Sequence, residues 1–370
     1  MKRISDIKAR WKRISHVARL VLYALAFLIV LRLALPFAVK AYVNKKLNAS
    51  RDYSGRIGNV NMKLWRGGYR IHQVSIQKKT GGVSAPLFSA REMELSIQWR
   101  ELFHGALVGE VIMQEPYINI VSGPTDDQTQ TGKEQRWDKV IESLFPFKFN
   151  RVEIANGEIH FQNPFSHPPV DIYTSHIFAT ATNLTNARDI TQKLPSGLEA
   201  RALTIGGGKV NLKLQMNLLK PQPAFELNCG LTNVDLVALN DFLRAYGKFD
   251  VERGEFALYT SAAADNGSYE GYLKVFFENL DVFAWEKERK KNILQVFWQA
   301  IVGGVTTLLK NHREDRLATK IPISGTYTNS NVGVLSTVGT LLQNAFIKAL
   351  VPKLDQHVTV EQVEKKNDQK

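Results

Sequence analysis

The sequence predicts a mainly β protein: an N-terminal transmembrane helix, then a curled antiparallel β-sheet of groove or taco-like form, with a few helices that are mostly C-terminal. Three observations carry that expectation. Val17–Val39 (VARLVLYALAFLIVLRLALPFAV) is apolar without a break into polar periodicity. From Tyr53 onward the dominant pattern is period-two alternation, which puts apolar side chains on one face of a strand and polar ones on the other. Between these runs sit Asn, Gly and Pro at the spacing of turns.

The apolar stretch comes first in the chain and sets its topology. A helix of ~20 residues rising 1.5 Å each crosses the ~30 Å hydrocarbon core of a bilayer. Lys2, Arg3, Lys8, Arg10, Lys12, Arg13 and Arg19 precede or open it, against a single acid, Asp6. Such a cluster holds a terminus in the cytoplasm, so residues 1–16 are expected there and 17–39 in the membrane. The bulk of the chain then lies across the membrane, in the periplasm of a double-membraned bacterium. Arg32 interrupts the apolar run, close enough to its outer end to snorkel to the headgroups. Pro36-Phe37-Ala38 is a poor small-x-small cleavage site, so an uncleaved single-pass anchor is the expectation.

The formal net charge of +13 invites a nucleic-acid reading. Nearly half of it belongs to the first 19 residues, where topology explains it. The rest is dispersed without a sustained basic run, a weak footprint for a phosphate backbone. No nucleic-acid partner is expected. Cys229 is the only cysteine, which excludes an intramolecular disulfide.

Beyond the anchor, 50–122 forms an expected N-terminal β subdomain and 134–282 a central β-sheet subdomain. In residues 91–100, Met93, Leu95, Ile97 and Trp99 alternate with Glu92, Glu94, Ser96 and Gln98. Val210, Leu212, Leu214, Met216 and Leu218 share one face of the next clear case, and Phe225, Leu227, Cys229 and Leu231 continue the pattern. Hairpins are expected around Arg66-Gly67-Gly68, Ala155-Asn156-Gly157 and Arg253-Gly254. After the first, the apolar phase jumps from Ile71 to Val74 and Ile76, the mark of a bulge. Gly206-Gly207-Gly208 precedes a strand and so predicts a tight turn instead of a phosphate loop. Residues 123–133, rich in Gly, Thr, Asp and Gln, mark a loop and a subdomain boundary.

Helices are expected at 137–145, ending at Pro146, and at 235–246, with an acidic start and Gly247 as a stop. A C-terminal segment, 283–355, holds the others. Residues 292–310 are interrupted by Gln295, Gln299 and Gly303-Gly304, which favours a buried or interfacial helix over a second span. A strand follows at 321–327. Leu335, Val338, Leu342, Ala345, Phe346 and Ala349 then recur at helical spacing before Pro352. Residues 356–370 are a polar tail.

The eight histidines form no HExxH or other paired metal-ligand spacing, and G-x-S-x-G is absent. His160 and His72 fit a wetted strand face. No catalytic residues, metal site or cofactor are expected, and an enzyme is not. The informative feature is the sheet. Few helices are available to cover its apolar face, so that face either closes on itself or shelters an apolar ligand.

The segment LTNVDLVALNDFLRAYGKFDVERGEFALYTSAAADNGSYEGYLKVFFENLDV resembles the AsmA-like superfamily, in its branch known as a domain of unknown function. The ending IPISGTYTNSNVGVLSTVGTLLQNAFIKALVPKLD is similar to the same branch, as are GRIGNVNMKLWRGGYRIHQVSI, PLFSAREMELSIQWRELFHGALVGEVIMQEPYINIV and FKFNRVEIANGEIHFQN. The resemblance spans roughly residues 50–355 and rests on the order of these motifs. It implies an inner-membrane anchor, a periplasmic β body with an apolar groove, and a part in moving phospholipid between inner and outer membranes and in envelope homeostasis. Expected partners are a phospholipid or other acyl-chain lipid, the inner membrane, and envelope proteins. Candidates for the groove lining are Leu95, Ile97, Leu212, Leu214, Met216, Phe225, Leu227, Phe256, Leu258, Leu273 and Val275. The competing expectation is a structural or assembly factor of the envelope, a scaffold or an aid to outer-membrane protein insertion, with a closed β core.

Overall fold

A computed structural model describes residues 2–63, 67–97, 108–132, 148–184, 193–218, 220, 222, 224–283, 308–311, 316–326 and 334–350. The chain opens with one long helix, α1 (Lys2–Leu47). Within it, Ala18–Leu47 is long and apolar enough to cross a membrane; its 18-residue apolar window has a mean hydropathy of 2.4, and none of that window is buried in the protein. The helix runs past the expected end at Val39. The reason is visible in its last turns, where Val43 and Leu47 bury against Ile57, Val60 and Ile71 of the sheet. Asn44 fixes the junction: its Oδ1 accepts from the Ile57 backbone N–H at 2.8 Å, and Asn48 Nδ2 donates to the Gly55 carbonyl at 2.9 Å.

One curled, unclosed sheet follows. Its strands are β1 (Tyr53–Arg56), β2 (Val60–Lys63), β3 (Gly68–Lys78), β4 (Phe88–Ile97), β5 (Val108–Val121), β6 (Lys148–Asn163) and β7 (Val170–Thr182). Then come β8 (Ser196–Thr204), β9 (Lys209–Asn217), β10 (Ala224–Asp235), β11 (Asp250–Asp265), β12 (Ser268–Phe283), β13 (Leu308–Asn311) and β14 (Arg316–Thr326). The order is β1-β3-β4-β5-β6-β7-β8-β9-β10-β11-β12-β14-β13, with β2 also paired to β3. Neighbouring strands are antiparallel except β5 and β6, which run parallel. That parallel step straddles the expected boundary at 123–133. Both expected β subdomains are therefore stretches of a single sheet. The loop itself is tied back by the Lys78 ammonium, which donates to the Thr129 carbonyl at 2.6 Å.

Two expected hairpins are corrected. Residues 152–161 are not strand, turn, strand: β6 runs unbroken through Asn156, and β11 runs unbroken through Gly254. A two-residue I′ turn needs positive φ at both central residues, and around Asn156-Gly157 only Asn156 has it, at 56°. The result is a bulge within a strand. The first expected hairpin stands, with Val60 opposite Ile71 and Met62 opposite Tyr69. The expected bulge after Ile71 is at Gln73, with φ of 54°. Between β8 and β9, Gly206 and Gly207 take φ of 75° and 73° and make the tight turn.

These irregularities line up. Gln73, Glu115, Asn156 and His176 all have left-handed φ near 50° and sit at corresponding heights on β3, β5, β6 and β7. Because an extra residue enters each strand at the same level, β3–β4 and β4–β5 keep constant register across it. The apolar phase inverts in sequence, from Met93 to Ala90 or from Met113 to Ile118, yet the apolar side chains stay on one physical face.

Residues 236–247 are helical in mixed form, a 3-10 turn, one α turn and a π turn, where a plain helix was expected. Asp235 caps it by accepting from the Val237 N–H at 2.9 Å, as its acidic start predicts. Asn240 clamps the far strand, accepting from Val251 N–H and donating to Val251 C=O. The expected strand at 321–327 is β14, and the C-terminal periodic run is α2 (Val334–Leu350). Leu308–Lys310, expected to end a helix, are in β13 instead. The rest of 292–310, the expected helix 137–145 and the tail lie outside the described residues.

Candidate functional site

Pairing register shows that the apolar face is continuous. One row reads Ile154, Ala179, Ala200, Leu212, Cys229, Thr260 and Leu273 across β6 to β12, each directly opposite the next. A second reads Leu198, Leu214, Leu227 and Ala262. At the other end, Tyr69, Leu95, Val111 and Val152 are aligned in the same way.

Helices cover both ends of this face. The last turns of α1 lie on the β1–β5 end, over Val74, Ala90, Leu95 and Val111. α2 lies along the C-terminal half. Its Val334 and Val338 join Leu214, Met216, Phe225 and Leu227, and its Phe346 and Leu350 join the cluster of Phe256, Leu258, Leu273, Val275 and Phe277. The Phe346 ring stands edge-on to Phe256 at 6.5 Å and 6.0 Å from Phe242. Residues 236–247 reach across the same face to the end of β6, where Asn163 Nδ2 donates to the Tyr246 hydroxyl at 2.8 Å. Between the covered ends, Ile154, Ile159, Ala179 and Ala181 of β6 and β7 belong to no packed cluster among the described residues, and Ile159 is 41% exposed.

The candidate lining divides accordingly. Leu95, Leu214, Met216, Phe225, Leu227, Phe256, Leu258, Leu273 and Val275 are all on the apolar face and all buried. Leu212 is half-buried at the margin of the uncovered strip. Ile97 is placed at the end of β4 by its backbone alone. The sequence identified the face correctly and missed what covers it. Periodicity marks α2 as amphipathic but gives no sign of where its apolar side docks.

The sequence also gave no hint of a hollow of about 820 Å³ along β5–β12. Ile112 and Gln114 line it without Met113, and Tyr272 lines it without Leu273. It therefore opens on the polar face, and Leu212 is the one lining candidate that borders it. Glu199 and Lys213 pair across it at 3.1 Å, and the Arg201 guanidinium lies 5.3 Å from the Phe178 ring centre. Two carboxylates and two cations balance there, so the hollow has no field to gather a polyanion.

Titratable groups give no catalytic arrangement. Among the described residues no cluster of three or more His, Cys, Asp or Glu is placed to hold a metal. His160 stacks on Tyr173 and meets Asp171 at 2.8 Å, a surface role of the expected kind. Burial pushes the Cys229 thiol up to about 11, which keeps it protonated at neutral pH and slows its reactions. Burial likewise pushes the Tyr69 phenol up to about 12. What the arrangement can do is hold apolar matter on one face, beside a helix long and apolar enough to cross a membrane. In comparisons with known proteins, no family model and no curated protein matches the chain.

Proposed function

We propose that this chain is a membrane-anchored lipid-binding module, with α1 in a bacterial inner membrane, its N-terminus cytoplasmic and the sheet in the periplasm. The acyl chains of a phospholipid lie on the apolar sheet face. The observation that carries this reading is the register-aligned apolar face itself, which begins where α1 docks and, among the described residues, is left without a packed cover at Ile154, Ile159 and Ala179. Each buried methylene contributes about 0.8 kcal/mol, so ten sheltered carbons offset roughly 8 kcal/mol of exposure to water. The AsmA-like motif order supports the same reading, and with it a part in phospholipid transport between inner and outer membranes. The reading has no catalytic step and no cofactor.

One observation favours the second reading, an envelope scaffold or assembly factor: nine candidate lining residues are packed under helices. Native mass spectrometry of the full-length protein, released gently from its membrane, separates the two. A retained phospholipid that is lost in Leu212→Asp is the expected result. A folded wild-type protein that carries no lipid would sink the lipid reading.

A further inference from the structure

α2 is an unusual cover. Its inward side is apolar, with Val334, Val338 and Leu350 buried and Phe346 wedged among Phe242 and Phe256. A helix that stays on a soluble protein normally carries charge on its outer side. Here Leu335 is 54% exposed, and Gly339, Thr340, Gln343 and Asn344 are exposed beside it. Lys348 is the single charged residue of all 17. Its internal Gly339 and its β-branched residues at 334, 337, 338, 340 and 347 give low helix propensity. A helix of this length is marginal alone in water, so α2 depends on an apolar surface to lie against.

Two kinds of apolar surface suit such a helix. One is the sheet, over Leu214, Phe225 and Leu227. The other is a bilayer, whose headgroup boundary buries the apolar side of an amphipathic helix. On the sheet, α2 covers a strip about 25 Å long and about 10 Å wide. Two acyl chains side by side need a strip of that shape. The named contacts are apolar and non-directional, so hydrocarbon can replace them.

We propose that α2 occupies the acyl-chain site as a stand-in for lipid, and that a phospholipid displaces it onto the bilayer surface. This inference rests on the lipid reading above and adds its regulation: the empty site is closed by the chain's own helix.

Cys229 is the reporter, because it is half-buried in the cluster that α2 covers. The full-length protein is placed in lipid-free dodecyl maltoside micelles and in phosphatidylethanolamine–phosphatidylglycerol nanodiscs, and alkylation of Cys229 by a maleimide is timed. A rate at least tenfold higher in nanodiscs is expected, and equal rates overturn the exchange. A phosphatidylcholine with a photoactivatable acyl chain is then cross-linked to the nanodisc sample, and labelling of the peptides around Leu214 and Leu227 is expected. In Leu342→Cys, a bis(methanethiosulfonate) linker joins the introduced thiol to Cys229 through two reducible disulfides, releasing a methanesulfinate at each, and clamps α2 down in the native fold. The clamp is expected to abolish labelling and its cleavage to restore it. Labelling that persists under the clamp refutes the exchange and leaves the lipid reading standing. Unclamped protein that takes no label refutes both.

Discussion

Leu212 and Leu214 stand two residues apart on the same face of β9, yet Leu214 is sealed in the cluster under α2 whereas Leu212 packs half-buried at the edge of that cluster. Leu214 is 1% exposed, between Leu198 and Leu227 and in one cluster with Val334 and Val338 of α2. Replacing it by Asp forfeits about 2–3 kcal/mol of apolar burial. The carboxylate adds several kcal/mol of desolvation with no cation on that face to pair it. The sum reaches much of the ~5–15 kcal/mol that holds an ordinary domain folded. Leu212 is half-buried between Ala200 and Cys229, and an Asp there keeps access to water. Its cost is about 1 kcal/mol. Far-UV circular dichroism and urea unfolding of the full-length variants in micelles measure both. Leu214→Asp is expected to lose sheet signal without denaturant, and Leu212→Asp to keep it with a slightly lower midpoint. If both variants unfold, the whole face is a sealed core. If both stay folded, α2 does not pack as described, and the reasoning about cover fails.

Three further outcomes follow from the same geometry. Asn44→Ala leaves the buried Ile57 N–H without its acceptor, at a cost of roughly 1–3 kcal/mol, and faster limited proteolysis between α1 and β1 reads that loss. Asn156→Val places a β-branched residue at φ of 56° and costs about 1–2 kcal/mol, whereas Asn156→Gly is close to neutral; paired thermal melts compare them. Lys220 and Lys193 hold the Asp265 carboxyl below its usual range, so its contribution is present above pH ~3.9 and fades as pH falls through the depressed value. Acid titration of Asp265→Asn against the parent is expected to show a difference at neutral pH that vanishes at the acid end.

Much of the fold is legible in the residues because a half-buried strand announces its face. Alternation at Val210–Met216 and Phe225–Leu231 fixes which side chains point together, and Asp235 fixes a helix start. The two misread hairpins show where local signals stop. Asn-Gly and Arg-Gly satisfy the demands of a turn and of a bulge equally well, because both need a residue that tolerates unusual φ. Only the neighbouring strand decides, and β7 and β12 continue past those points. The site was harder for a related reason. Whether Leu214 lines a groove or a core depends on a helix more than a hundred residues later in the chain. The polar-face hollow depends on curl, which no single strand encodes.

Curl and anchorage together bear on how such a molecule would work. Thirteen strands in the main path, ~4.8 Å apart, give a sheet about 60 Å broad, short for a conduit across an envelope. The path ends on β1 and β13, each four residues long, and short edges of this kind resist end-to-end pairing with further copies. On the proposed reading, a continuous slide of lipid along chained sheets does not suit this chain. With α1 in a membrane, its docking through Val43, Asn44 and Leu47 instead holds the start of the apolar face near the bilayer. From there the covered stretch under α2 lies only a few strands beyond the exposed Ile159. That geometry suits a carrier that takes up one lipid at the membrane and shelters it, with the sheet's breadth setting how far from the bilayer the cargo is held.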